Sequence, residues 1–176
     1  DENESDYLDE VAKDVKAVRV PGLGRSISPL RDMHAFFLLV KEIRKFKPDV
    51  IHTHTAKAGV LGRLAGLIAR PRAKRVHTFH GHLLHGYFSP RKTQLVILLE
   101  KIFGLITFRF IAIGNVVKND LVRVRISQDS KFEVIYPGLQ DLDKHPKVAA
   151  QAALGLDQNK KYLVFVGRLT TIKRPD

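Results

Sequence analysis

The sequence predicts an α/β fold, a Rossmann-like parallel sheet with helices on both faces. Two observations lead there. Short apolar runs alternate with longer amphipathic segments along the chain, the order of parallel strands joined by helical crossovers. The polar clusters able to do chemistry follow those short runs, at the strand ends where a parallel sheet collects ligands. With 176 residues, 44% of them apolar and 27% charged, there is material for one domain with a real core, or one domain and part of another.

Taken in order, Asp14–Val20 (DVKAVRV) alternates with period two and stops at Pro21, so it reads as a strand. The Gly, Pro and Ser of PGLGRSISP make a loop. Asp32 can cap a helix over Met33 to Phe46, where Phe36, Phe37, Val40 and Ile43 recur at helical spacing and Pro48 ends the run. Asp49–His52 is a strand, Thr53 to Lys57 a turn, and Ala58 to Ala69 a small-residue helix able to pack closely on a sheet. Arg75–Phe79 is the next strand, and His80 to Pro90 a loop rich in His and Gly. Arg91 to about Leu105 reads as a helix, Phe108–Ile113 as a strand, Val116 to about Arg125 as a helix and Phe132–Ile135 as a strand. Gln140 to Pro146 carries no pattern and reads as a linker. A short helix over Lys147 to Leu154 follows, closed by Gly155. Lys161–Val166 (KYLVFV) then reads as a buried strand broken by Gly167. A parallel strand needs a neighbour and a crossover, so the expectation is of a chain cut at both ends.

Charge and composition exclude several classes. Residues 1–14 carry seven acids and one Lys, a net of −6 within a total of +12, which leaves +18 on the rest. Such a body attracts polyanions, whether nucleic acid, anionic lipid or phosphorylated substrates. No cysteine is present, so disulfide frameworks and thiolate chemistry are excluded, and a reducing compartment fits. The acidic start DENESDYLDE is the opposite of a secretory n-region. The most apolar stretch, Leu95 to Ile113, is cut by Glu100, Lys101 and Arg109 and makes a poor membrane span.

Three clusters sit at predicted strand ends. In the first, His54, Thr55 and Lys57 enter a helix whose N-terminal N–H groups can hold an anion. The same residues also suit a plain Thr-capped helix entry. In the second, His77-Thr78-Phe79-His80-Gly81-His82, alternation sets His77 and Phe79 on one face and Thr78 and His80 on the other. His80 then ends the strand, where an imidazole can donate or accept near neutral pH. No H-E-x-x-H, Cys or acidic residue accompanies these histidines, so no metal is expected. In the third, Gly167 is followed by Arg168 and Lys173. A glycine permits close backbone approach, and a planar fork and a point charge suit a diphosphate; a solvated basic turn is the other reading.

PDVIHTHTAKAG, RVHTFHGH with GYFSPRKT, FIAIGNVVKNDL, FEVIYPGL and FVGRLTTIKRPD, in that order, closely resemble glycosyltransferase family 4. The resemblance runs over residues 15 to 176 and implies a retaining enzyme of the GT-B type, two Rossmann-like domains facing across a cleft. It implies an acceptor-side domain over 1–140 lacking its first strand, a linker over 141–147, and the start of a donor-side, nucleotide-sugar-binding domain over 148–176. By resemblance, Arg168 and Lys173 hold the donor diphosphate beside Gly167. His80 is the active-site histidine at the donor sugar, and Gly81 and His82 open the acceptor wall. The donor is a nucleotide-diphosphate sugar used as substrate, with no cofactor, and the acceptor is a glycan or lipid. The implied setting is cytoplasmic, with peripheral contact at an anionic membrane and no nucleic acid. The fragment alone is expected to be inactive. A nucleotide-sugar epimerase of the same fold and a basic nucleic-acid- or membrane-binding module are the alternatives; the G-R-x4-K signature argues against the first, and the absence of an RNA-binding aromatic motif against the second.

Overall fold

The computed structural model describes residues 15–24, 26–81, 89–138 and 145–167. Its contacts divide the chain into two units, Asp1–Tyr136 and Pro137–Asp176.

In the first unit, α1 spans Pro29–Phe46 and β1 Val50–His54. Then come α2, Ala56–Ala69, and β2, Lys74–Phe79. They are followed by α3, Pro90–Ile106, β3, Arg109–Ala112, and α4, Asn115–Arg123. A 3-10 turn at Asp129–Lys131 leads into β4, Phe132–Val134. The four strands form one parallel sheet in the order β1-β2-β3-β4, so the α/β class read from the sequence is what the chain adopts.

Register puts Thr53 beside His77, His77 beside Phe110 and Phe110 beside Phe132, one row across the sheet. All four are buried, and this is the face that the crossover helices cover. On α2, Gly59, Gly62 and Gly66 form the contact stripe. A β-carbon on them would stand 2.5 Å from His77 Cε1, 2.7 Å from Thr53 Cγ2 and 2.6 Å from Ile51 Cδ1. The small-residue helix therefore lies directly on the strands. Further along, Phe79, Phe110 and Phe132 join Leu121 of α4 and Ile126 in the apolar core, with Ile97 of α3 and Val117 against it. The rings of Phe110 and Phe132 stack at 4.9 Å. Strands added in one direction by crossovers of one hand place successive helices on one side. The described contacts of α2, α3 and α4 with the sheet accordingly fall on this face. The other carries His52, His54, Thr78 and His80.

Three local expectations are corrected. Residues 15–20 of the expected first strand are irregular, and Val15 and Val18 are exposed. Lys161–Val166 is likewise irregular, with Leu163, Val164 and Val166 exposed. Both have the side-chain pattern of strands, but a strand exists by pairing its backbone with a neighbour, and neither pairs among the described residues. Asp32 does not cap α1. The helix starts at Pro29, whose fixed φ suits the first helical position, after Ser28 as N-cap. Asp32 instead accepts the Ser28 backbone N–H at 3.1 Å from inside the helix. Other boundaries moved less: β1 runs two residues past His52, so His54 belongs to the strand.

In the second unit, α5 spans Lys147–Ala153 and is followed by Gly155 at φ +64°. The Tyr162 hydroxyl accepts the Asp157 N–H at 2.8 Å.

Candidate functional site

The carboxyl ends of β1 and β2 bring three histidines together on the face opposite the Thr53–His77–Phe110–Phe132 row. His52 and His54 are two residues apart on β1, and their rings lie 4.3 Å apart. His52 Nε2 bonds Thr78 Oγ1 at 2.7 Å, and His54 Nδ1 bonds His80 Nε2 at 2.8 Å. Register sets His52 beside Val76 and His54 beside Thr78. Each bond thus reaches the residue two further along the chain, Thr78 within β2 and His80 just past its end, and the second repeats the first one step nearer the strand ends. Partial burial, then the His80 ring, holds the His52 pKa below the ordinary imidazole value. Partial burial, then His52 and His80, does the same for His54. His80 is exposed and followed by Gly81 at φ +135°, with no described atom within 4 Å of where its β-carbon would stand, a backbone that a side chain would strain.

The opposite face of the same strands is closed. Thr53 Oγ1 donates to the Val76 carbonyl at 3.2 Å and meets His77 Nδ1 at 2.9 Å. A hydroxyl has one proton, so it accepts from His77, which therefore carries its proton on Nδ1. Burial first, and the Arg63 charge second, push the His77 pKa down to about 3, so this ring is neutral and structural. Alternation thus separates His77 from His80 as read from the sequence.

The helix entry is Thr55, at φ 62° and ψ 161°, a conformation that β-branched residues avoid. Its side chain makes no cap bond. Such strain persists only where the surrounding structure over-determines the backbone. Lys57 is spoken for: its ammonium meets the Asp32 carboxylate, the Gly22 carbonyl at 3.2 Å and the Ser26 carbonyl at 2.7 Å. Three donors have three partners, and Lys57 fastens α1 and the loop before it to α2. The bond from Lys57 in turn holds the Asp32 carboxyl below its usual pKa.

Sequence reasoning missed the pair beneath the site. Arg63 of α2 is fully buried. One guanidinium nitrogen meets both Glu100 oxygens, at 3.0 and 2.8 Å, and Nε donates to the Gly59 carbonyl at 2.9 Å. Burial lowers the Arg63 pKa, and Glu100 opposes that shift. The available signal was one Arg and one Glu, each alone on the inner face of an apolar helix.

Of the remaining site residues, Gly167 is exposed, and among the described residues the Phe165 ring lies near the place of its β-carbon. His82, Arg168 and Lys173 lie outside the described residues. Among the described residues no three His, Asp or Glu side chains are placed to hold a metal ion. No described helix is long and apolar enough to cross a membrane.

Comparison with known proteins bears on this arrangement. The model of Glycosyltransferase Family 4 matches residues 2–141. The UDP-Gal:alpha-D-GlcNAc-diphosphoundecaprenol alpha-1,3-galactosyltransferase of Escherichia coli is 34% identical over 178 residues, covering 97% of this chain and 44% of the relative. The D-inositol 3-phosphate glycosyltransferase of Gordonia bronchialis is 31% identical, over 73% of this chain and 29% of its own length. The chain thus spans less than half the length of these relatives. The crystal structure of Anabaena Alr3699/HepE in complex with UDP and glucose superposes with a TM-score of 0.56 at 22% identity, over 74% of this chain and 35% of that one, a likeness of fold.

Proposed function

The chain belongs to glycosyltransferase family 4, and from that premise we propose that the whole protein moves a sugar from a nucleotide-diphosphate sugar to a glycan or lipid-linked acceptor, with retention at the anomeric carbon. Residues 1–140 supply the acceptor-side domain, 141–147 a linker, and 148–176 the opening of the donor-side domain. The observation that carries this reading is the placement of His80. It directly follows the last residue of β2, its ring is held by His54 at 2.8 Å, and a glycine at φ +135° comes next.

In this mechanism the His80 side of the sheet meets the donor sugar. Gly167, Arg168 and Lys173 receive the diphosphate from the other domain. Departure of the nucleoside diphosphate builds negative charge there, and fixed cations stabilise that charge most in the transition state. The Escherichia coli relative's name supports UDP-galactose as the first donor to try and a diphosphate-linked polyprenol as the acceptor.

The expected setting is the cytoplasm, at a membrane surface. The chain's lack of cysteine and its net charge of +12 support it. So does α3, which exposes Leu95, Leu98, Ile102 and Leu105 on a helix that opens with Arg91 and Lys92. Apolar residues beside cations suit a bilayer carrying anionic lipid.

The test is transfer by the whole protein, with UDP-galactose and a GlcNAc-diphosphopolyprenol as first substrates and other nucleotide sugars after them. His80→Ala should lower turnover far more than nucleoside diphosphate affinity, because a contact to the reacting sugar counts mainly in the transition state. Unchanged turnover in that variant would remove His80 from the active site. No transfer from any nucleotide sugar would remove the activity.

A further inference from the structure

We propose that His54 and His80 act as one unit sharing a single proton, with His54 the positioning residue that decides whether His80 offers a ligand a donor or an acceptor. The role at a sugar rests on the function proposed above; the shared proton does not.

The argument starts from the bond between His54 Nδ1 and His80 Nε2, 2.8 Å long. Two bare nitrogens at that distance repel, and two N–H groups collide. The inner pair therefore holds one proton between them. A neutral pair has one further ring proton, on either His54 Nε2 or His80 Nδ1. If His54 donates inward, His80 carries its proton on Nδ1 and is a donor outward. If His80 donates inward, its Nδ1 is bare and accepts. The inner proton thus sets the outward chemistry of both rings at once.

The same geometry limits charge. One added proton fills the empty outer nitrogen and leaves the inner bond intact, now charge-assisted. A second would set two N–H groups head to head and break the bond. The pair therefore resists a second proton more than a first. It can also pass one along. A proton arrives at His54 Nε2, the inner proton moves from His54 Nδ1 to His80 Nε2, and one leaves from His80 Nδ1, so one enters and one leaves.

The surroundings are set up for this. Register carries the ring of His54 to His80 as it carries His52 to Thr78, so both β1 rings lean the same way along β2. Among the described residues, several titratable groups lie near the pair. His52 shares the face, with its ring 4.3 Å from that of His54. His77 lies on the opposite face of β2 and is held neutral by burial and by Arg63 of α2. Lys57, at the start of α2, is bound to Asp32. Partial burial and the adjacent imidazoles hold His54 below its ordinary pKa, in keeping with a pair that resists a second charge.

Ring-nitrogen NMR of the full chain labelled with 15N-histidine, from about pH 5 to about pH 8, tests this. The two rings should move together in one step, with the second proton entering at least about one pH unit lower. His54→Asn puts an amide near the place of Nδ1, so it can keep the hydrogen bond but cannot relay a proton. His80 should then titrate as a single site while the chain's far-UV spectrum stays unchanged. In the whole protein that variant should shift the pH profile of turnover and leave nucleotide affinity within about twofold, as expected of a group acting through another. If His54→Asn does not fold, His80→Asn reads the same coupling from His54. Two independent titrations in the wild type, or a His80 titration indifferent to His54→Asn, would overturn the proposal. Shared titration in a protein that transfers no sugar would keep the pair and remove its place at a sugar.

Discussion

The ring of His77 lies so close to Gly59 that a β-carbon there would stand 2.5 Å from Cε1 and 2.9 Å from Nδ1. His77 cannot withdraw. Its Nδ1 is held by Thr53 at 2.9 Å, and the Phe79 ring meets it edge-on with centroids 4.7 Å apart. Gly59, with Gly62 and Gly66, thus sets the distance between α2 and the strands that carry His54 and His80.

Gly59→Ala should therefore destabilise the fold. Alanine favours a helix by about 1 kcal/mol over glycine, but overpacking a closed site costs roughly 1–3 kcal/mol, and here nothing can yield. The urea midpoint should fall. A midpoint equal to or above that of the wild type would show that the helix shifts without cost.

Stability should fall with pH because of His77. Its folded pKa is pushed from 6.5 to about 3, while the unfolded ring titrates at its ordinary value. Between the two, the unfolded chain binds the extra proton. The contribution is complete above pH 6.5 and is lost as pH drops towards about 3, at up to about 1.4 kcal/mol per pH unit. Denaturation midpoints measured through that window should slope less in His77→Asn, where the amide can still meet Thr53. An equal slope in both proteins would assign the dependence to other groups.

Glu100→Ala should cost about 3–5 kcal/mol, because it strands the Arg63 charge in the interior. Arg63 is completely buried, and Glu100 meets it at 2.8 Å. The double variant Arg63→Met, Glu100→Leu removes both charges and should recover much of the loss. Thermal or urea unfolding of the three proteins decides. Equal stability of Glu100→Ala and wild type would mean that water or another group takes over the pairing.

Removing Arg168 or Lys173 in the whole protein should cut turnover by about two to three orders of magnitude, if each matches one lost oxyanion donor. Lys173→Arg should not fully rescue, since the two side chains differ in shape and hydration. Calorimetry gives the sharper comparison. Nucleoside diphosphate affinity should fall, and affinity for the nucleoside without phosphates should not. Equal nucleoside diphosphate binding in wild type and both variants would separate these cations from the phosphates.

The alternating pattern by itself determined the parallel α/β fold, because period-two runs and helical runs answer to short-range geometry. Periodicity also assigned His77 and His80 to opposite faces, as found. It did not determine which runs become strands. DVKAVRV and KYLVFV carry the pattern, yet their described residues join no strand ladder among the described residues, since a strand is made by its neighbour. Nor did it determine what the side chains do. Lys57 looked free for an anion, and the fold brings it Asp32 and two carbonyls from 31 to 35 residues away. Arg63 finds Glu100 across 37 residues, and His54 finds His80 across 26. Spacing along the chain reports which face a residue occupies. Only the packing of α2 on the sheet and the register of β1 against β2 decide whom it meets.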